Sequence, residues 1–127
     1  MSVAAAGLFN TVPAAGVLGL LGPEGPDVPE TVKFLGFSDK EMAVAASADV
    51  SQIRKSGPRM PAEVRERLIQ IATVCELVAS HFDDRERAAL WFKTNNPMLG
   101  NFSPRDFVRF GRFRMLQRVI AETLAGL

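Results

Sequence analysis

Residues Pro61 to Phe82 carry the pattern that most restricts this chain. Apolar side chains stand at Val64, Leu68, Ile71, Cys75, Val78 and Phe82, spaced 4-3-4-3-4. An α-helix brings residues at that spacing onto one face, and a strand does not. Pro61 suits the first helical position, where its missing N–H would have no partner anyway. Such a helix is roughly 33 Å long at about 1.5 Å per residue. In a chain of 127 residues it has to be the spine of the fold. Ile69, Val74 and Leu77 widen the apolar surface beyond one seam. That surface serves either a core alone or a core plus a contact with a second copy of the chain, and the pattern leaves both open.

The other segments also read as helices. Pro29 to Leu35 form a short one, stopped near Gly36. Ser38 and Glu41 have the spacing of a capping box, with Phe37 and Met42 placed as a hydrophobic staple. That second helix ends near Ala46 or Ser47, and after a three-residue corner Asp49 caps another, Val50 to Lys55, which Gly57-Pro58 ends. Beyond the spine, Asp83 and Glu86 repeat the cap spacing for a helix from Asp84 to about Thr94, broken by Asn95-Asn96-Pro97. Ser103-Pro104-Arg105-Asp106 starts a further helix that ends at Gly111. The last, Arg112 to Ala125, puts Phe113, Leu116, Ile120 and Leu124 on one face. No alternation of β-branched residues marks a strand. The expectation is an all-α chain of about seven helices. Gly22 to Pro29, GPEGPDVP, reads as a linker, which makes everything before it an apolar arm.

Composition narrows the function classes. The net charge is +1, so any nucleic-acid site must come from local clustering of charge. One cysteine excludes an internal disulfide framework and suits a reducing compartment. The N-terminus is apolar but lacks a positive n-region and is interrupted by Asn10 and Pro13, so it reads as an arm rather than a signal peptide. No run is apolar enough for a membrane span, and a cytoplasmic protein is expected.

Catalytic chemistry has little to stand on. His81 is the one histidine, and a lone histidine at a helix end is usually a surface or capping residue. Cys75 lies on the apolar stripe and reads as a small buried hydrophobe. Tyrosine is absent, and the glycines form no phosphate-binding pattern. No enzyme activity, metal or cofactor is expected.

Two segments suggest binding instead. Ser38 to Lys55 has the layout of a helix-turn-helix, in which Ala43 and Ala46 are small enough for close helix approach and Ala48 and Ile53 point inward. Ser51, Gln52, Arg54 and Lys55 would then face a DNA major groove, with Arg59 just beyond. A plain helical hairpin gives the same pattern, and Asp49 has the wrong sign to face phosphate. The second segment, ALWFKTNNPMLGNFSPRDFVRFGR, gathers Trp91, Phe92, Met98, Leu99 and Phe102 around a loop. These cannot all fit under it, and aromatic and Met anchors with a polar rim are the make-up of a protein interface. Arg105, Arg109, Arg112, Arg114 and Arg118 make the region that follows basic, either as a solvated face or to meet an acidic or nucleotide-binding partner surface.

The run Ala89-Leu90-Trp91-Phe92-Lys93-Thr94-Asn95-Asn96-Pro97-Met98-Leu99-Gly100, followed by Ser103-Pro104-Arg105-Asp106, resembles the C-terminal toxin-binding domain of the Xre/MbcA/ParS antitoxins. That family has a Trp near a helix end, an Asn-Pro-x-Leu-Gly loop, and a Thr/Ser-Pro helix start. The resemblance covers about residues 28–127 and implies a type II antitoxin that occludes the active site of a RES-domain toxin, an enzyme that consumes NAD or transfers ADP-ribose. With residues 1–28 read from their composition as arm and linker, it implies 29–60 as an Xre-like helix-turn-helix region and 61–127 as a connecting helix with a toxin-binding domain. The toxin-binding residues on this reading are Trp91, Phe92, Asn95, Pro97, Met98, Leu99, Gly100, Ser103, Pro104, Arg105, Arg109 and Arg112. The implied partners are the cognate toxin, a second copy in a homodimer, and promoter DNA bound for autorepression. The chain departs from the family at Lys55-Ser56-Gly57, where an aromatic often ends the recognition helix, and in its apolar N-terminal arm. The competing reading is a stand-alone helix-turn-helix regulator without a toxin.

Overall fold

The computed structural model describes residues 16–23, 25–54 and 60–125. Within them lie seven α-helices, one 3-10 turn and a hairpin of two short strands. The all-α reading holds, with the hairpin as its one addition. The strands β1 (Leu21–Gly22) and β2 (Gly25–Pro26) pair antiparallel where the Gly and Pro content had suggested a linker. Residues 1–15 of the arm lie outside the described residues.

Helix α1 (Val28–Leu35) starts one residue earlier than expected, because Asp27 caps it by accepting from the Glu30 amide. Gly36 ends it in the left-handed conformation, at φ 70°. Helix α2 (Asp39–Ala46) has the expected capping box: the Ser38 hydroxyl accepts from Glu41 N, and the Glu41 carboxylate accepts from Ser38 N. A three-residue corner leads to α3 (Val50–Arg54). Ala43, Ala46 and Ile53 are buried at that corner, as close helix packing requires.

The spine is α4 (Ala62–Phe82), with Pro61 one position outside the first helical residue. Val64, Leu68, Ile71, Cys75 and Val78 are buried, and Phe82 packs at the core's edge. Val74 and Leu77 are buried as well. Of the three residues that broadened the apolar surface, Ile69 alone is left exposed. The hairpin explains part of this, because both of its strands pack against α4. Glu76 completes the attachment. It is fully buried, and its carboxylate accepts from the amides of Leu18 at 2.8 Å and Leu20 at 2.6 Å. Leu18 and Leu20 enter the core at that point. Gly16 must be glycine, since its φ is +55° and a Cβ would run into the Glu76 carboxyl.

Asp83 does not cap the next helix. It closes α4 instead, in the left-handed conformation at φ 50°, and the cap of α5 (Arg85–Lys93) passes to Asp84, which accepts from the amides of Glu86 and Arg87. Helix α6 (Pro104–Arg109) follows the 3-10 turn Pro97–Leu99, and α7 (Phe113–Ala125) starts one residue later than expected. One cluster of buried side chains links the arm, the hairpin-side helices and the C-terminal helices.

Candidate functional site

The Asn-Pro loop is a closed, internally bonded unit. Asn96 N donates to Phe102 O, while Asn96 O accepts from Leu99 N and Asn101 N. The Asn96 side chain accepts from Met98 N at 2.9 Å. Gly100 and Asn101 both have positive φ, 66° and 67°, which suits Gly and Asn and few other residues. Ser103 and Asp106 then form a second capping box for α6, which Pro104 begins. Backbone bonds at both ends of the loop therefore fix which side chains turn in and which turn out.

This sorts the expected interface residues into two groups. Phe92, Leu99, Ser103 and Pro104 are buried in the chain itself. Phe92 stands edge-on to Phe34 at 5.7 Å and to the half-buried Trp91 at 5.2 Å. The buried side chains of Phe92, Leu99, Ser103 and Pro104 pack within the chain and hold the loop in place. Arg105 is also occupied, donating to Leu35 O at the end of α1. Arg109 bridges Asp106 at 2.8 Å and Glu41 at 3.5 Å, which ties α6 to α2. Asn95, Pro97, Met98, Gly100 and Arg112 face solvent.

The outward group gains two members that the motif did not single out, Phe102 and Phe110. Met98, Phe102 and Phe110 are each about half exposed, at 53%, 50% and 50%. The Phe102 and Phe110 rings stand 5.8 Å apart, edge to face, over Phe107. The Arg109 guanidinium lies 5.3 Å from the centre of the Phe110 ring. Beside them runs a cleft of about 520 Å³ lined by Val44, Ser47, Arg109, Phe110, Gly111 and Arg112. The result is an aromatic ridge with a basic flank. The half-exposed rings of Phe102 and Phe110 thus form one contiguous apolar patch. Phe110 was legible as an apolar residue beside the Gly111 helix end, but its direction depended on how α6 stops. That stop is a left-handed Gly111 at φ 73°, with Arg112 N donating to Phe107 O and Gly111 N to Val108 O.

The expected DNA-facing residues are arranged less freely. Ser51 is exposed. The Gln52 side chain is turned back and accepts from Asp49 N at 2.8 Å, so it caps its own helix. Arg54 pairs with Asp39 at 3.1 Å. Both partners are solvated, so the pair is weak and Arg54 is easily released from it. Lys55 and Arg59 lie outside the described residues.

Ionisable groups elsewhere do not converge on a reaction centre. Burial pushes the Cys75 thiol well above its ordinary range, and the neighbouring Glu76 charge adds to this. His81 is exposed at the end of α4, beside Phe82. Among the described residues no group of three or more His, Cys, Asp or Glu is placed to hold a metal ion, and no helix is long and apolar enough to cross a membrane.

The described residues form a small all-α domain with an exposed aromatic ridge. No family model and no curated protein matches the chain. Among solved structures it is similar to a chain of the crystal structure of the M. tuberculosis MbcT–MbcA toxin–antitoxin complex, with a TM-score of 0.55 at 19% identity. The likeness covers 79% of this chain and 92% of that one. At that identity the shared property is the fold.

Proposed function

We propose that this chain is an antitoxin of the MbcA kind, which neutralises a RES-type toxin by covering the cleft where that enzyme handles NAD. The observation that carries this reading is the rigid loop and aromatic ridge, displayed on a fold similar to a chain of a toxin–antitoxin complex. Occlusion needs no catalytic group, only a preorganised apolar surface with charged flanks. Met98, Phe102 and Phe110 are the anchors on this reading, with Asn95, Pro97, Gly100 and Arg112 around them. Phe92, Leu99, Ser103, Pro104, Arg105 and Arg109 serve by holding that surface in shape. Autorepression through α3 is a second role, resting on Ser51 and on Arg54 leaving Asp39 for a phosphate or base.

The test is co-expression with the product of the adjacent gene. That product alone should arrest growth, and this chain should restore it in a complex that co-purifies. Met98→Asp together with Phe110→Asp should abolish rescue while shifting stability by no more than about 1 kcal/mol, because both side chains are half exposed. Leu99→Asp is a different experiment: it places a charge in the core and should cost about 3 kcal/mol or more. Full rescue by the Met98/Phe110 variant would remove the ridge from the interface. Absence of toxicity and of a complex would turn the assignment to a solitary regulator.

A further inference from the structure

Two groups of arginines stand out among the described residues. Arg54, Arg85 and Arg109 are paired with carboxylates. Arg67, Arg112, Arg114 and Arg118 form no ion pair among the described residues. Three of those four line one cleft of about 560 Å³, between α4 and the start of α7. Gln70, Gln117 and Phe113 line it too, and no carboxylate is among its eight lining residues.

The cleft is held open by local structure. Arg67 is partly buried, with its guanidinium carbon 4.9 Å from the centre of the Phe113 ring. Its hydrogen bond, to Gly111 O, is long at 3.5 Å. A guanidinium carries five donors, and Arg67, which lines the cleft, spends one of them on this bond among the described residues. Gly111 is called for by its left-handed φ of 73°, while a Cβ there would stand in ordinary contact with the Arg67 nitrogen at 3.4 Å. The Gly111 helix stop also fixes where Arg112 and Arg114 stand.

Three uncompensated guanidiniums in one cleft repel each other and raise the local affinity for anions. Guanidinium forks match phosphoryl oxygens, and the two glutamine amides add neutral donors. An acidic peptide would need apolar anchors as well. Here Phe113 is buried under Arg67, and Met115 is the exposed apolar side chain of the cleft. We propose that this cleft is a phosphate-binding site, taking the phosphoryl groups of either a nucleotide or a nucleic-acid backbone. It adjoins the aromatic ridge through Gly111 and Arg112, but needs no toxin partner to act.

The free full-length chain is titrated in about 50 mM salt with pyrophosphate, with ADP, and with a random duplex of about 20 base pairs. At least one probe should bind, and the double variant Arg67→Gln, Arg114→Ala should weaken it about tenfold or more. Arg85→Ala, paired with Glu30 away from the cleft, should change nothing. Binding of pyrophosphate or ADP alone assigns a nucleotide. Binding of the duplex alone assigns a backbone, and the double variant should then lower the salt slope by about 2. Arg114→Ala alone, at an exposed position, keeps the test valid if the double variant fails to fold. No binding tighter than about 1 mM by any probe would overturn the site. So would binding unchanged by these substitutions, including duplex binding lost only with Arg54→Ala. Because no toxin is present, failure here leaves the antitoxin reading untouched.

Discussion

Glu41 shows how much a single side chain can do on this surface. Its carboxylate accepts from Ser38 N at 2.9 Å and meets Arg109 at 3.5 Å. The amide bond does most to hold its pKa below the ordinary glutamate value, with smaller help from the Ser38 hydroxyl and Arg109. A depressed folded-state pKa means that the charged form favours folding. Its contribution is therefore complete above the ordinary value, about 4.3, and is lost as pH falls through the lowered one. Glu41→Gln should lower the melting temperature at neutral pH and flatten its fall on the acid side. The check is a series of thermal melts from pH 7 to about 3; parallel curves for the two proteins would mean that Glu41 carries no linked stability. Glu76 is the opposite case, a buried carboxylate satisfied by two backbone amides from a distant part of the chain. The spacing that marked α4 as a spine gave no reason to single it out, because it lies between apolar positions that looked sufficient.

The helix ends explain most of the element boundaries. Ser38 and Ser103 were readable as caps, because a hydroxyl three residues before a carboxylate is a local signal. Asp83 was misplaced as a cap because two adjacent aspartates offered the same chemistry, and the left-handed close of α4 took the first. Ser47 makes a similar close to α2 at φ 54°, with Ser47 N donating to Val44 O and Ala48 N to Ala43 O. Gly36 and Gly111 do the same job elsewhere without strain from a Cβ. Ser47→Gly should therefore stabilise the chain by about 0.5–1 kcal/mol, read from urea unfolding. A neutral or negative result would place the cause of the corner in packing around Ala43 and Ala46 rather than in the cap. The Asn-Pro loop was recognisable as a motif, yet its inward and outward side chains were not. That division depends on the bond from Asn96 to Phe102, which no short-range rule predicts.

At the scale of the molecule, the described end of the arm is part of the core. Leu18 and Leu20 are buried, their amides occupy Glu76, and the hairpin that follows lies on α4. A chain begun at Leu21 would lose two buried leucines, each worth about 1.5–3 kcal/mol, and would leave a buried carboxylate without donors. The expected loss is about 4 kcal/mol or more, against a total stability of about 5–15 kcal/mol. Adding Glu76→Leu to the truncated chain should restore part of that, since an apolar group there has no unmet hydrogen bonds. Guanidinium unfolding of the three proteins measures both effects; a truncated chain as stable as the full one would remove the arm from the core.

The sequence by itself determined the helical class, the spine and its buried face, and most of the places where helices start and stop, to within a residue. Periodicity and capping are local, and they act through neighbours within about four residues. Tertiary structure decided what the rest of the apolar surface was for. It set Leu18, Leu20 and the hairpin against α4, turned Leu99 inward and Met98 outward, and brought Arg67 beside Arg112 and Arg114 across forty-odd residues of chain. Those outcomes depend on which elements meet, and on the direction each helix leaves its cap, which residue types alone do not specify.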